Sequence, residues 1–332
     1  MARLADVARA AGVSPTTVSR YVNGGLKLPE ATRSRIDGAI AALDWRPNAV
    51  ARQLSTGRTQ TIAIVTPEIS NPFFTALAAA IERAAAAAGY SVLILATESD
   101  PRREAAALAQ LRAGRFDGLI FMSAVTPTGA VARMLGENHP LIMLDEDLLP
   151  DAPIPRVLVE NSVGGALAAG HLLELGHRAV AIIAGPRHMP NSRARVAGCV
   201  DRLQDAGITV PPEMIQWGPY SATHGAAALT ALLPRRPTAV FAVSDIIATG
   251  VLRRAAQMGV SIPDDISLVG FDDMPFADLV APPLTTIRQP LAEMGARAFA
   301  ALHDRMRGQQ PPPRQMLPVT LVTRGSTAQR CV

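Results

Sequence analysis

The sequence predicts an α + α/β protein: a small all-helical head, then a body of two similar lobes, each a parallel sheet covered by helices. Three observations point there. From Thr61 onward short apolar strands alternate with helical patterns, and the alternation runs through twice. The 332 residues are 48% hydrophobic and 18% charged. That is enough to bury the cores of two or three domains of roughly 100–200 residues, and it excludes wholesale disorder. Charge is also uneven. Residues 1–60 hold nine Lys+Arg against four Asp+Glu, a net +5, which leaves −1 for residues 61–332. A short basic head on a nearly neutral body suggests that the head meets a polyanion and the body something else.

In the head, Leu4, Val7, Ala8 and Ala11 form the i, i+3, i+4, i+7 stripe of a short helix that Gly12 ends. Ser14 is placed as an N-cap and Pro15 at the first helical position, where its missing N–H costs nothing. A second helix, 15–22, turns Val18, Tyr21 and Val22 inward and Thr16, Thr17, Ser19 and Arg20 outward. Two short helices across a glycine turn are a helix-turn-helix. Small hydroxyls and one Arg on the outer face suit the major groove, where Arg clamps guanine and Thr meets phosphate or a thymine methyl. A third helix, 29–43, turns Ile36, Ala39, Ile40 and Leu43 inward. A plain three-helix domain with a solvated polar face fits the same pattern. Beyond Pro47, Asn48 caps a helix over 49–55 that is only about two turns long and marginal by itself.

The body is expected as strands 62–65, 91–96, 119–121 and 141–144 with helices 72–88 and 101–113. The alternation restarts with strands 157–159, 180–184, 215–217, 239–243 and 266–269 and helices 162–175, 191–206, 221–233 and 246–258. A last strand is expected over 315–323. In such sheets ligands sit beyond the carboxyl ends of strands, here between the lobes. The polar residues at those ends are Asp145, Ser244, Asp245, Asp272 and Asp273, with Arg195 opening a second-lobe helix. Carboxylates and a guanidinium hold sugar hydroxyls by charge-assisted hydrogen bonds, and Phe73, Phe74 and Tyr220 offer faces for an apolar ring. Phe74 as lobe core and Asp245 as a helix cap are the plainer readings, and for Asp245 the cap is preferred.

Several classes are excluded or disfavoured. No apolar run nears the ~18 residues of a spanning helix, so no membrane partner is expected. Arg3, Asp6 and Arg9 interrupt the place of a signal-peptide core. Cys199 and Cys331 make neither a disulfide framework nor a metal cluster, which suits a reducing cytoplasm. No phosphate-binding glycine loop, nucleophile elbow or zinc-type histidine pair occurs. His171 and His177 flank one helix and read as structural. No catalytic residue, metal or cofactor is therefore expected. An exported solute-binding protein would share the lobes but not the basic head, and a nucleoid protein would need no cleft.

The runs Leu4-Ala5-Asp6-Val7-Ala8-Arg9-Ala10-Ala11-Gly12-Val13-Ser14 and Thr16-Thr17-Val18-Ser19-Arg20 resemble the headpiece of the lac-repressor/purine-repressor family. Trp45-Arg46-Pro47-Asn48-Ala49-Val50-Ala51-Arg52-Gln53-Leu54 resembles its hinge helix. The likeness continues through Asn71-Pro72-Phe73-Phe74, Phe116-Asp117-Gly118, Gly176-His177-Arg178, Gly270-Phe271-Asp272-Asp273 and Pro283-Leu284-Thr285-Thr286-Ile287. It spans essentially the whole chain. The resemblance implies a helix-turn-helix headpiece (1–46), a hinge helix and linker (47–60), and a two-lobed, periplasmic-binding-protein-like core (61–326). It implies a ligand-responsive repressor that binds a near-palindromic operator as a homodimer and is released by a small effector. Ser14, Pro15, Thr16, Thr17, Ser19, Arg20 and Asn23 would face DNA. Paired hinge helices would enter the minor groove with Ala51 and Leu54, Leu54 as the wedge that opens a base step; Leu54 packed on the core is the alternative.

Carried over residue by residue, the resemblance places the effector against Phe73, Phe74, Asp145, Arg195 of the Arg-x-x-Gly run ending at Gly198, Tyr220, Ser244, Asp272 and Gln289. Two departures matter. Asp145-Glu146 stands where many sugar-responsive members have Asp-Arg, and Ser244-Asp245 where many have Asn-Asp. The added acid disfavours a phosphorylated or acidic sugar, and Met189, where purine-binding relatives have Arg, disfavours a purine. A neutral sugar or polyol is the expected effector. No apolar heptads follow the last strand, so the expected assembly is a dimer.

Overall fold

The computed structural model describes residues 2–22, 25–46, 57–127, 129–135 and 139–330. Asn23, Ala51, Leu54, the expected hinge helix and Cys331 lie outside the described residues. Two compact units appear: a head of residues 1–60 with 114–117, and a body made of the rest.

In the head, α1 (Leu4–Ala11) stops at Gly12, whose φ of 64° is the left-handed conformation a helix end needs. Ser14 Oγ accepts the Thr17 N–H at 3.1 Å and so caps α2 (Pro15–Val22). Against these packs α3 (Glu30–Ala42). Val7, Ala8, Ala11, Val18, Ile36 and Ala39 form the core, and the Tyr21 hydroxyl ties α2 to Asp37 of α3 at 2.9 Å. Leu43 departs from expectation. The helix ends one residue before it and its side chain is exposed, while Trp45 instead packs partly buried against the head core. The Asp117 carboxylate accepts the backbone N–H groups of Thr59 (2.7 Å) and Gln60 (2.9 Å), fixing the stretch that leads out of this unit.

The first lobe begins with β1 (Thr61–Thr66), α4 (Pro72–Ala87), β2 (Ser91–Ala96), α5 (Pro101–Arg112), β3 (Gly118–Phe121), α6 (Gly129–Leu135), β4 (Leu141–Leu144) and β5 (Arg156–Val159). The second holds α7 (Asn161–Glu174), β6 (Val180–Ala184), α8 (Pro190–Asp205), β7 (Ile215–Trp217), α9 (Ala222–Leu232), β8 (Ala239–Ala242), α10 (Asp245–Met258), β9 (Ser267–Asp272) and β10 (Thr285–Arg288). The chain then returns to the first lobe for α11 (Leu291–Met306) and β11 (Arg314–Leu317), and ends in the second with β12 (Thr320–Val322). Strand orders are β11-β5-β4-β3-β1-β2 and β12-β10-β9-β8-β6-β7. Every pairing is parallel except β10 with β12. The central strands are buried along their length, as parallel strands covered on both faces must be.

Three expectations are corrected. Residues 157–159 do not open the second lobe: β5 pairs with β4 and β11 in the first sheet. The single terminal strand is two strands on different sheets, parted at Pro318, which has no N–H for a ladder. Elements α6, β10 and α11 lie outside the expected alternation. In β10 the buried Thr285 and Thr286 do not read as an apolar strand, whereas α11 does carry a stripe of Met294, Ala298, Ala301 and Leu302 that covers the first sheet. The chain thus crosses between the lobes three times, at residue 160, at 289–290 and at 318–319.

Candidate functional site

The strands of both sheets end on a shared cleft, where a cavity of about 360 Å³ opens between the lobes. Its apolar faces come from both sides. On the first lobe, Asn71 Oδ1 accepts the Phe73 N–H at 3.1 Å with Pro72 in the first turn. This cap fixes the start of α4 and presents Phe73 and Phe74, their rings 5.2 Å apart edge to face, to the cavity. On the second, Tyr220 lies so close over Gly185 that a Cβ there would stand 2.4 Å from the ring. Glycine is required for that approach. The Tyr220 hydroxyl donates to Asn191 Oδ1 at 2.7 Å.

The polar wall of the second lobe is assembled by helix packing. A Cβ on Gly198 would meet Ser162 O at 1.8 Å, and one on Gly165 would meet Arg195 O at 2.0 Å, so α7 and α8 touch backbone to backbone. That contact brings Arg195 to the start of α7. Its Nε donates to Asn161 Oδ1 at 2.8 Å, one terminal nitrogen donates to Val243 O at 2.8 Å, and the same nitrogen lies 3.5 Å from Asp272 Oδ1. The guanidinium stacks 3.7 Å over the Phe271 ring. Gln289 Nε2 donates to Asp272 Oδ1 at 2.7 Å. Burial nevertheless pushes the Asp272 carboxyl up to about 6, with Arg195 working against that rise.

On the first lobe Asp145 follows β4 with φ at 75°. Successive side chains of a strand point to opposite faces; this left-handed residue bends the chain so that both Asp145 and Glu146 line the cavity. Burial raises the Asp145 carboxyl to about 7, with Arg195 lowering and Asp272 raising it. Burial, then the Asp145 charge, hold Glu146 well above the ordinary carboxylate range. Glu146 Oε2 accepts the Asn191 N–H at 3.2 Å, but Glu146 Oε1 and Asp145 Oδ1 are buried without a hydrogen-bond partner. At the cleft mouth His188 Nε2, on the second lobe, lies 3.3 Å from Ala124 O of the first.

Of the expected effector residues, Phe73, Phe74, Asp145, Arg195, Tyr220, Ser244 and Asp272 line this one cavity. Gln289 does not; it stands behind Asp272. Asp245 is no cap. Ser244 Oγ accepts the Ile247 N–H at 3.4 Å and caps α10, while the buried Asp245 carboxylate accepts from Thr286 Oγ1 of β10 (2.6 Å) and the Met274 N–H after β9 (2.8 Å), tying the start of α10 to both. Asn161, Asn191 and His188 were not singled out in the sequence. The run Met189-Pro190-Asn191 before a helix was the available signal for Asn191. His171 and His177 fasten the end of the chain, to Thr327 Oγ1 at 2.9 Å and to Ala328 O at 3.2 Å. Among the described residues no group of three or more His, Cys, Asp or Glu is placed to hold a metal ion, and no helix is long and apolar enough to cross a membrane.

In the head, Ser14, Pro15, Thr16 and Arg20 are exposed on and before α2, Thr17 and Ser19 are half-buried, and Val18 is fully buried. The Thr17 hydroxyl is 2.8 Å from that of Ser14.

Residues 3–48 match the family described as bacterial regulatory proteins, lacI family, and residues 169–327 match a periplasmic binding protein-like domain. The HTH-type transcriptional regulator DegA of Bacillus subtilis (strain 168) is 36% identical over 97% of this chain and 97% of its own length. Among solved structures, the lac repressor dimer bound to operator and the anti-inducer ONPF superposes with a TM-score of 0.87 at 31% identity, covering 98% of this chain and 99% of that one. The transcriptional regulator CelR in complex with cellobiose gives 0.75 at 30% identity, covering 98% and 100%.

Proposed function

The chain belongs to the lacI family of bacterial regulatory proteins, and we propose that it is a cytoplasmic repressor whose head reads a near-palindromic operator and whose cleft takes a small effector that releases it. The observation that carries this reading is the outer face of α2. Thr16 and Arg20 stand exposed while Val18 seals the core, so the face available to base edges is polar and basic. The proposed parts are the headpiece of residues 1–46, the hinge of 47–60 with Ala51 and Leu54 toward the minor groove, and the effector core of 61–326. A homodimer would match the two halves of such an operator. Exposed Leu93 and Ile94 on β2, the edge strand of the first sheet, support an interface there.

The effector proposed is a hydroxyl-rich, non-anionic molecule of sugar or polyol type. Its ring faces would meet Phe74 and Tyr220 and its hydroxyls Asp145, Arg195 and Asp272. Buried acids on both walls support this choice by repelling phosphate and carboxylate. CelR is seen with cellobiose, a ligand of the same class. Ligand bound between lobes joined by three crossings would shift the first lobe, and binding and release would be coupled reciprocally.

Fluorescence anisotropy of the full chain on DNA upstream of its own gene tests this. Tight, salt-dependent binding to one footprinted palindrome that a sugar reverses is the expected result, and sequence-independent binding refutes it. Arg20→Ala should weaken that specific binding by ~1–3 kcal/mol if Arg20 clamps a guanine.

A further inference from the structure

We infer that the cleft takes a ligand bearing a protonated amine, an amino sugar or amino polyol, whose ammonium lodges against Asp145 and Glu146. The inference deepens the effector reading above and rests on it.

Two oxygens carry the argument. Asp145 Oδ1 and Glu146 Oε1 have no hydrogen-bond partner, and the residues that bear them are 6% and 2% exposed. Buried polar atoms are almost always paired, and a buried carboxylate left unpaired is costly. Both acids line the same cavity, because the left-handed backbone at Asp145 turns two consecutive side chains to one side.

No protein cation hydrogen-bonds to either oxygen, although Arg195 acts on both acids through space. Arg195 is the one buried cation lining the cavity among the described residues. Its guanidinium is already engaged by Asn161 and Val243 and lies closest to Asp272. His188 and Arg193 are exposed, with Arg193 donating to His188 O, and Glu68 adds a further acid to the lining.

A ligand that keeps both acids ionised must donate to those oxygens, and a positive charge beside two adjacent acids suits them best. A hydroxyl offers a single proton and no charge. An alkylammonium offers three donors on one atom, enough to serve Asp145 and Glu146 together and still meet water or another acceptor. It also supplies the charge that lets the acids stay ionised when water is excluded. The rest of the molecule is accounted for by Phe74 and Tyr220, which flank the cavity with apolar faces, and by Arg195 and Asp272, which suit hydroxyls.

Calorimetric titration of the full-length protein with matched pairs tests the inference: D-glucosamine against D-glucose, D-galactosamine against D-galactose, and 1-amino-1-deoxy-D-sorbitol against D-sorbitol. In at least one pair the amine should bind ten-fold or more tightly than its neutral partner. Glu146→Gln should erase that preference, bringing the amine and its neutral partner to within two-fold of each other. Glu146→Arg, an independent variant, should exclude the amine altogether. Equal affinities in every pair, no binding by any amine, or a preference that survives Glu146→Gln overturns the inference. A neutral sugar that binds without such preference and releases operator leaves the effector reading standing and removes the amine. Sequence-independent DNA binding, read on the same preparation, is what would remove the repressor reading itself.

Discussion

On the second-lobe side of the cleft, Asp272 is held by Gln289 and faces a guanidinium that is itself anchored to Asn161, Val243 and the Phe271 ring. On the first-lobe side, Asp145 and Glu146 end a strand of the same kind, yet two of their oxygens face no donor. Both walls are built on left-handed residues at strand ends, φ 75° at Asp145 and 119° at Asp272. Like placement has therefore been put to different uses. One wall is assembled before any ligand arrives. The other keeps its hydrogen-bonding capacity, and the energetic penalty of being unpaired, for the ligand to relieve. Binding energy should accordingly be concentrated on the first lobe, and native stability on the second.

The largest test of that contrast is removal of the assembled wall. Arg195→Ala strands Asp272 in the interior, and Asp272→Ala strands Arg195. Either should cost about 3–5 kcal/mol in urea unfolding of the body, with loss of effector response. Losses as large from Asp145→Asn would erase the difference between the walls. Next, Gly185→Ala drives a methyl into the Tyr220 ring and should cost about 1–3 kcal/mol by overpacking, with weaker ligand binding, measured by thermal melts with and without sugar.

The smallest effect concerns pH. With Asp145 raised to about 7 and Asp272 to about 6, the ligand-free native state keeps protons that the unfolded chain has released above its ordinary carboxylate range near 4. Stability is then full at low pH and is lost as pH rises through 6 and 7. Melts at pH 5 and pH 8 should show a midpoint lower by several degrees at pH 8. Glu146→Gln, which removes an acid of the first wall held well above its ordinary range by burial, should flatten that slope. A midpoint that rises with pH would contradict the burial of these acids.

The sequence made much of this visible, for identifiable reasons. Gly12, Ser14 and Pro15 state the helix-turn-helix locally, since caps and turns depend on residues within a few positions. The Arg195-to-Gly198 spacing was readable as a motif, but its cause was not. Gly198 is needed because α8 touches Ser162 of α7, a contact between residues thirty-six positions apart. The roles of Asn161, Asn191 and Gln289 are likewise set by partners remote in sequence. Asp245 shows the converse error. It sits where a cap belongs, but Ser244 takes the cap and Asp245 bonds to Thr286, forty-one positions away. The strand expected over 157–159 goes to the wrong sheet because alternation counts elements without saying which neighbour each will pair with. The orphaned oxygens of Asp145 and Glu146 are a property of everything around them, and no local pattern encodes that.

The last two strands part company, β11 edging the first sheet and β12 the second, and this has a consequence for the newborn chain. The head closes its core with residues drawn from the first forty-five or so. The first sheet, begun at Thr61, must wait for α11 and β11. At ~5–20 residues per second the intervening stretch of about 250 residues takes roughly 10–50 s to synthesise. Once made, β5 offers an open edge and α4 an uncovered flank until α11 and β11 follow. Both sheets are then finished almost together, within residues 314–322. Translation stopped anywhere between Thr61 and Arg314 leaves the head's core intact and both sheets incomplete.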